Sequence, residues 1–280
     1  MSDDNTRPKP GSPEWVAEMQ RLSREREAAK EAARIVYLPA WPEVRRASPN
    51  ELVRSALFNV RNRNVKRRDF KDEPLAVFGD ATITYRGEEL RQDDLDVWLQ
   101  LLHLARQQPL GEWVEFSAYE MFKALGWPHG GASYRRLRTC INRMTATLIQ
   151  ITSKRLGRTI GVSLVRMFEY QDEAGRNLPR WRVWIEKPMH ALFADPYYTL
   201  LEWDQRKTLG PLAKWLHGFY ASHADPYPLK VATLQAACGS GTGRARAFKE
   251  NLVLALDELK TMGFLKCWRI EKGSVYVERV

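Results

Sequence analysis

Two segments far apart in the chain carry one pattern. In FSAYEMFKALG (Phe116–Gly126) and LKVATLQAACG (Leu229–Gly239), apolar, helix-forming and glycine positions fall in step. A longer helical segment follows each. There Leu137, Ile141, Met144 and Leu148 align with Phe248, Leu252, Ala255 and Leu259, at the spacing that one buried face of an α-helix requires. Identity between the copies is low, so the repeat is one of pattern: a supersecondary unit used twice. That restricts the chain to folds with two similar helical units in series.

The elements around each pair follow a common order. Leu95, Leu99 and Leu102 repeat at helical spacing in a helix running to about Arg106, stopped by Pro109 and Gly111. Trp113–Phe116 reads as a short strand. Ser117 and Glu120 have the spacing of a capping box before a helix over Ala118–Leu125, and Gly126 ends it. The longer helix is expected from about Ser133 to Ile149. Two β-rich runs follow, Gly161–Tyr170 and Trp181–Glu186, around the turn QDEAGRNLP. The second copy reads as helices at Lys214–His223, Val231–Cys238 and Arg244–Met262. A hairpin of Phe264–Ile270 and Ser274–Glu278 closes it, turning at Lys272-Gly273. A further hairpin, Leu75–Phe78 with Ile83–Tyr85, is expected to turn at Gly79-Asp80.

Helix, short strand, helix, turn, longer helix and hairpin is the order of a winged helix-turn-helix. The expected fold class is therefore α+β, with two tandem winged helix-turn-helix domains at 47–187 and 188–280. A flexible, partly helical N-terminal extension and linker occupies 1–46. Its first thirteen residues hold three prolines and no apolar cluster, too little burial to offset the entropy of ordering a backbone, and are expected to be disordered. Pro13–Ala33 mixes helix formers with alternating charges, as an exposed helix or a segment that folds against a partner does. Pro39 and Pro42 mark the linker.

Several function classes are disfavoured. No window holds the ~18 apolar residues of a membrane span, and the N-terminus lacks the apolar run of a secretory signal, so a cytosolic protein is expected. The three cysteines, Cys140, Cys238 and Cys267, form no C-x-x-C and read as core thiols. His103, His129, His190, His217 and His223 are scattered without metal-ligand spacing. No cofactor or metal is expected, and Tyr197, Tyr198 and Tyr227 lack the metal site that a strand-nicking tyrosine would need.

The chain carries 44 Lys+Arg against 34 Asp+Glu, a formal charge of +10, which points to nucleic acid where the cations cluster. The repeat says where they cluster. Arg135 aligns with Arg246 and Arg138 with Lys249, away from the apolar stripe and near the start of the longer helix. In a helix-turn-helix those positions enter the major groove. Ser133, Tyr134 and Arg136 in the first copy, with Ser240, Thr242 and Arg244 in the second, are placed to donate to phosphate. Lys154, Arg155 and Arg158 are expected in the first wing and Lys272 in the second. Arg61, Arg63, Lys66, Arg67 and Arg68 form a basic run, either a solvated loop or a contact to the DNA backbone. GSGTGR (Gly239–Arg244) lacks the Lys-Ser/Thr of a P-loop and follows a helix rather than a strand, so it reads as the turn between helices.

A set of local motifs adds to this. They are Trp41-Pro42, RSALF at Arg54–Phe58 with Arg61-Asn62, ITYRGEELR at Ile83–Arg91 with Asp93-Asp94, Leu125–Trp127, SHADPYPLK at Ser222–Lys230, and Cys238-Gly239-Ser240. Through them the chain, from about Ala40 to its C-terminus, resembles the TrfA-type replication initiators of broad-host-range plasmids. The resemblance implies a non-enzymatic protein whose two winged helices bind iterons, the direct repeats of double-stranded plasmid origin DNA. It further implies melting of an adjacent AT-rich stretch, recruitment of the host helicase and its loader, and contact with the host sliding clamp. A monomer–dimer equilibrium that restrains copy number belongs to the same picture. By position, Arg244, Arg246 and Lys249 would lie in the C-terminal recognition helix, and Arg135, Arg136 and Arg138 in the N-terminal one. The family's clamp motif, a Gln followed by Leu, a spacer and Leu-Phe, is degraded here to AARIV at Ala32–Val36, where Gln and Phe are missing and Ile35-Val36 remain. Two other readings stay open: a winged-helix transcriptional repressor that binds a palindromic operator as a dimer, and a nicking initiator enzyme.

Overall fold

The structure is a computed structural model that describes residues 9–33, 35–194 and 196–280. It divides into two compact units, Met1–Val36 and Tyr37–Val280. In the first, Pro13–Ala33 forms helix α1. Ser12 Oγ accepts from Trp15 N at 3.1 Å at its start, and Arg21 faces Glu18 and Glu25 one turn away on either side. Residues 1–8 of the expected disordered tail lie outside the described residues, as do Arg34 and the side chain of Ala32 in the degraded motif.

The second unit opens with β1 (Arg45–Pro49), α2 (Asn50–Val53), β2 (Phe58–Asn59), β3 (Asp69–Leu75), β4 (Thr82–Glu88) and β5 (Leu90–Arg91). Then come α3 (Gln92–Ala105), β6 (Trp113–Phe116), α4 (Ala118–Leu125), α5 (Gly131–Thr145), β7 (Leu148–Thr152), β8 (Thr159–Val162), β9 (Met167–Gln171) and β10 (Asn177–Trp184). A 3-10 turn at Lys187–Phe193 leads to β11 (Tyr198–Glu202) and α6 (Trp203–Thr208). The chain ends with α7 (Pro211–Ala221), β12 (Leu229–Lys230), α8 (Val231–Ala237), α9 (Ala245–Thr261), β13 (Leu265–Glu271) and β14 (Ser274–Arg279).

Its apolar side chains form two cores. One runs from Leu38 to Trp203 around α3, which buries Leu95, Trp98, Leu99 and Leu102; the other runs from Leu209 to Val275 around α7 and α9. Met189, Leu192, Phe193, Leu201 and Trp203, expected with the second domain, belong to the first core. The reason is β11, which returns to pair antiparallel with β1, from Arg45↔Glu202 to Pro49↔Tyr198. The boundary between the cores therefore falls at α6 rather than at residue 187.

The duplication is visible in the sheets. Strand order is β6-β10-β9 beside α3, α4 and α5, and β12-β14-β13 beside α7, α8 and α9, so the last strand is central in both. The capping box forms as expected: Ser117 Oγ accepts from Glu120 N at 3.1 Å, and Glu120 Oε2 accepts from Ser117 N at 2.8 Å. Gly126 follows α4 in the left-handed region at φ 68°, where a Cβ would be strained. The longer helix of the first copy stops at Thr145, short of the expected Ile149. Leu148 and Ile149 instead enter β7, which pairs with β4 and β8 in the sheet β3-β4-β7-β8. The hairpin of β3 and β4 is longer than expected, and Val77 and Phe78 leave it: Val77 bridges to Ser55 and Phe78 packs on Phe219 of the second core.

Candidate nucleic-acid interface

The two longer helices present cations from equivalent positions. α5 buries Leu137, Cys140, Ile141 and Met144 and leaves Arg135 and Arg136 exposed and Arg138 half-buried. α9 buries Phe248, Leu252, Ala255, Leu256 and Leu259 and leaves Arg246 and Lys249 exposed. The helical period alone dictates this split between a core face and a charged face.

Between α5, the start of α4 and the β9–β10 hairpin lies an open groove of about 590 Å³, whose lining includes Tyr119, Tyr134, Arg135, Arg138, Tyr170 and Trp181. Tyr134 meets Phe122 edge-on at 4.9 Å and Trp181 at 6.1 Å, and Tyr170 meets Trp181 at 5.9 Å. The Arg138 guanidinium lies 5.6 Å from the centre of the Tyr170 ring. Packed rings thus brace Tyr170 beneath Arg138, while Arg135 lines the same groove, which suits a polyanion lying along α5.

Not every expected residue is free to bind. Ser133 is only 7% exposed, and its hydroxyl donates to Pro128 O at 2.5 Å, closing the turn before α5. Arg136 stacks over Trp127 at 4.0 Å and lies 3.6 Å from Asp93, so its charge is partly neutralised within the protein. Burial pushes the Asp93 carboxyl up, and the guanidinium groups of Arg67, Arg136 and Arg143 more than reverse that, holding it below the usual carboxylate range.

The first-copy wing residues need correction. Lys154, Arg155 and Arg158 lie in the β7–β8 connection, not in the hairpin beside α5. Arg155 pairs with Glu51 at 2.5 Å, donates to Ala191 O at 2.8 Å and stacks on Tyr197, which makes it a structural tie. Lys154 and Arg158 are exposed, with no side-chain partner among the described residues. The hairpin that does flank α5 is β9–β10. It carries Arg176, which holds Asp172 at 2.8 Å, and Arg180 and Arg182, both on Glu115. Sequence reasoning missed these three, although Arg176 stands inside the turn it identified.

In the second copy, Gln235 Nε2 donates to Thr242 O at 2.7 Å, and Thr242 N donates to Ser240 Oγ at 3.3 Å, so these two expected contact residues stabilise their own turn. Arg244 is exposed at the N-cap of α9. Arg246 pairs only with Glu250, one turn on at 3.1 Å, and Lys249 has no partner among the described residues. Lys272 stands exposed at the tip of the β13–β14 hairpin.

The basic run divides in the same way. Arg61 pairs with Glu89 at 2.9 Å, Arg67 with Asp94 at 2.7 Å and Asp93 at 3.2 Å, and Arg68 with Glu73 at 3.0 Å. Burial pushes the Glu89 carboxyl up, but Arg91 and Arg61 bring it below its ordinary range. Arg63 and Lys66 are exposed and have no partner among the described residues.

Cys140 and Cys238 are buried, and burial raises both thiols, Cys238 to about 12. Cys267 departs from the expectation: it is exposed on β13, beside Glu278. Among the described residues no group of three His, Cys, Asp or Glu is placed to hold a metal ion, and no helix is long and apolar enough to cross a membrane.

Comparison with known proteins fits this geometry. The family model described as TrfA protein matches residues 21–279. The chain is similar to the plasmid replication initiator protein TrfA of Escherichia coli, at 36% identity over 241 residues. That alignment covers 85% of this chain and 63% of the relative, so the chain spans less than two thirds of the curated relative's length. Two crystal structures of domains 2 and 3 of RctB are similar at TM-score 0.54, with 13% and 12% identity. They cover 83% and 82% of this chain and 98% and 97% of their own, and at such identity the likeness is one of fold.

Proposed function

The chain belongs to the TrfA protein family, and from that premise we propose that it is a plasmid replication initiator binding direct-repeat (iteron) origin DNA through two winged helices. α5 and α9 are the recognition helices, and the β9–β10 and β13–β14 hairpins are the wings. One observation carries the reading: cations recur at equivalent positions outside the core, exposed Arg135 and half-buried Arg138 on α5, exposed Arg246 and Lys249 on α9, each beside a sheet of the same strand order. A single basic helix face is commonly a solvated surface. Two in register within one chain argue for a target with two successive major grooves, where Arg and Lys reach guanine O6 and N7.

Arg244, Lys272, Arg63 and Lys66 supply phosphate contacts around these helices. The protein needs no catalytic step or cofactor in this role. It acts on plasmid DNA in the bacterial cytoplasm, opens the adjacent AT-rich stretch and recruits the host helicase and its loader. A monomer–dimer balance sets copy number. Contact with the host sliding clamp is weakened or lost, since Ala32, Ile35 and Val36 are what remains of its motif. A repressor dimer on a palindrome is less well supported, because two non-identical reading helices in one chain match an asymmetric site.

The test is binding to a labelled fragment carrying the direct repeats of the native origin, against a scrambled fragment, at two salt concentrations with footprinting. A preference of about a thousandfold, falling with salt and protecting two adjacent grooves per repeat, is expected. Equal binding to both fragments overturns the reading.

A further inference from the structure

The turn before α9 is filled from behind by the chain entering the first core. A Cβ built on Gly241 would stand 2.6 Å from Arg61 Nε and 3.2 Å from its Nη2, so the guanidinium occupies the space of a side chain at 241. Gly241 does not adopt a positive φ; space, not backbone conformation, demands glycine there. At Gly239 both demands hold: φ is +62°, and a Cβ would lie 2.8 Å from Asn59 Cβ. Val60 N donates to Cys238 O at 3.2 Å and completes the strap.

Arg61 is not free to swing away. Its Nη1 donates to Glu89 Oε2 at 2.9 Å, and that carboxylate is fully buried, with its other oxygen taken by Arg91 Nε at 2.6 Å. The same acidic cluster grips α5. Arg67 bridges Glu89 O at 2.6 Å and Asp94 Oδ2 at 2.7 Å, and Asp94 also takes Arg143 at the far end of α5.

We propose that Arg61 is a positioning residue for DNA reading: wedged between Glu89 and Gly241, it fixes the start of α9 relative to α5, so that both helices read the target at one set spacing. The proposal rests on the iteron-binding reading above. In it Arg61 acts on DNA only through the turn that it supports.

Arg61→Ala, Gly241→Ala and the double variant, all in the full chain, test this. Hydrogen exchange of residues 239–244 is measured without DNA. Affinity is measured for the native repeat and for a repeat with a short insertion between the two protected grooves. Each single variant is expected to speed exchange in the turn and to weaken native binding about tenfold, within the range that coupled contacts span. Discrimination against the lengthened repeat should shrink in both. The double should be no worse than Arg61→Ala alone, since removing the guanidinium opens the space that a methyl group at position 241 needs. Additive losses overturn the proposal, because the two positions would then act independently. Unchanged exchange in Arg61→Ala, with equal weakening of both repeats and a salt slope reduced by about 0.9, also overturns it and makes Arg61 a phosphate contact. A wild-type protein with no preference for the repeat sinks both this proposal and the function it rests on. The exchange data then report separately whether Arg61 holds the turn.

Discussion

Arg206 donates to Asp96 at 2.8 Å from a site where its own side chain is 1% exposed. The guanidinium also donates to Gln92 Oε1 at 2.9 Å and to Lys214 O at 3.0 Å, and the Lys214 ammonium pairs with the same carboxylate. One acid of α3 thus collects cations from α6 and α7, tying the first core to the second. Taking one partner from a buried pair leaves the other uncompensated, at a cost of roughly 3–5 kcal/mol. Asp96→Ala is expected to lower the unfolding midpoint markedly and to separate the melting of the two cores in calorimetry. A single unshifted transition would mean that the joint is held by packing alone.

Arg155 and its neighbours separate stability from binding. Glu51 is buried and already has Oε2 without a hydrogen-bond partner among the described residues. Arg155→Ala would leave the whole carboxylate unpaired, a loss of about 3 kcal/mol. Lys154→Ala and Arg158→Ala remove exposed cations and should leave the unfolding midpoint where it is. Urea titration of the three variants checks this, and full stability in Arg155→Ala would show that Glu51 is hydrated.

What was legible in the sequence was local. The capping box of Ser117 and Glu120, the glycine after α4, and the buried stripe from Phe248 to Leu259 depend on spacings of three or four residues, and all are found. Leu148 broke the equivalent stripe in α5, since nothing in Ala146-Thr147 signals a stop. The stop comes from β4, distant in sequence, which takes β7 as its partner. The basic residues failed for the same reason. Arg61, Arg67 and Arg155 look free in sequence because Glu89, Asp94 and Glu51 are remote from them along the chain. The first wing was misplaced because β7 and β8 are inserted ahead of β9 and β10, and a second β-rich pair cannot be told from the first by composition.

Acid should destabilise the protein through its buried histidines. Burial first, and Arg206 second, pushes His217 down to about 3; its Nδ1 has no hydrogen-bond partner among the described residues, and its ring packs edge-on to Phe264 at 4.6 Å. Burial and Arg46 hold His103 down to about 4, where its Nδ1 accepts from Trp41 Nε1 at 3.0 Å. The unfolded chain protonates both near pH 6.5 while the fold keeps them neutral, so below that pH the unfolded state binds more protons. The stability these groups allow is fully present above about pH 6.5 and is lost as pH falls toward 3 to 4. The loss is on the order of a few kcal/mol for His217 and smaller for His103, whose downward shift is partly offset by its hydrogen bond to Glu43. His217→Phe should flatten the fall in unfolding free energy between pH 6.5 and 4 relative to wild type. Parallel curves for the two proteins would show that His217 is hydrated in the fold.

The cations of α9 give the most direct test of DNA reading. The Arg246 side chain is 92% exposed and held only by Glu250, and Lys249 is exposed without a partner among the described residues, so neither supports the fold. Arg246→Ala and Lys249→Ala should therefore leave the unfolding midpoint unchanged while weakening repeat binding. A base contact loses about 1–3 kcal/mol at one position of the repeat and relaxes specificity there. A phosphate contact weakens all sequences alike and reduces the log–log salt slope by about 0.9. Glu250→Gln releases Arg246 from its tether and removes a like charge facing DNA, so it should tighten binding, and in the Arg246→Ala background that gain should shrink. Arg135→Ala and Arg138→Ala on α5 should add to the α9 losses, because these four side chains stand on different helices and share no partner among the described residues. Unchanged origin affinity in the combined Arg246→Ala, Lys249→Ala protein would mean that α9 does not read DNA, and that its match with α5 is a property of the surface alone.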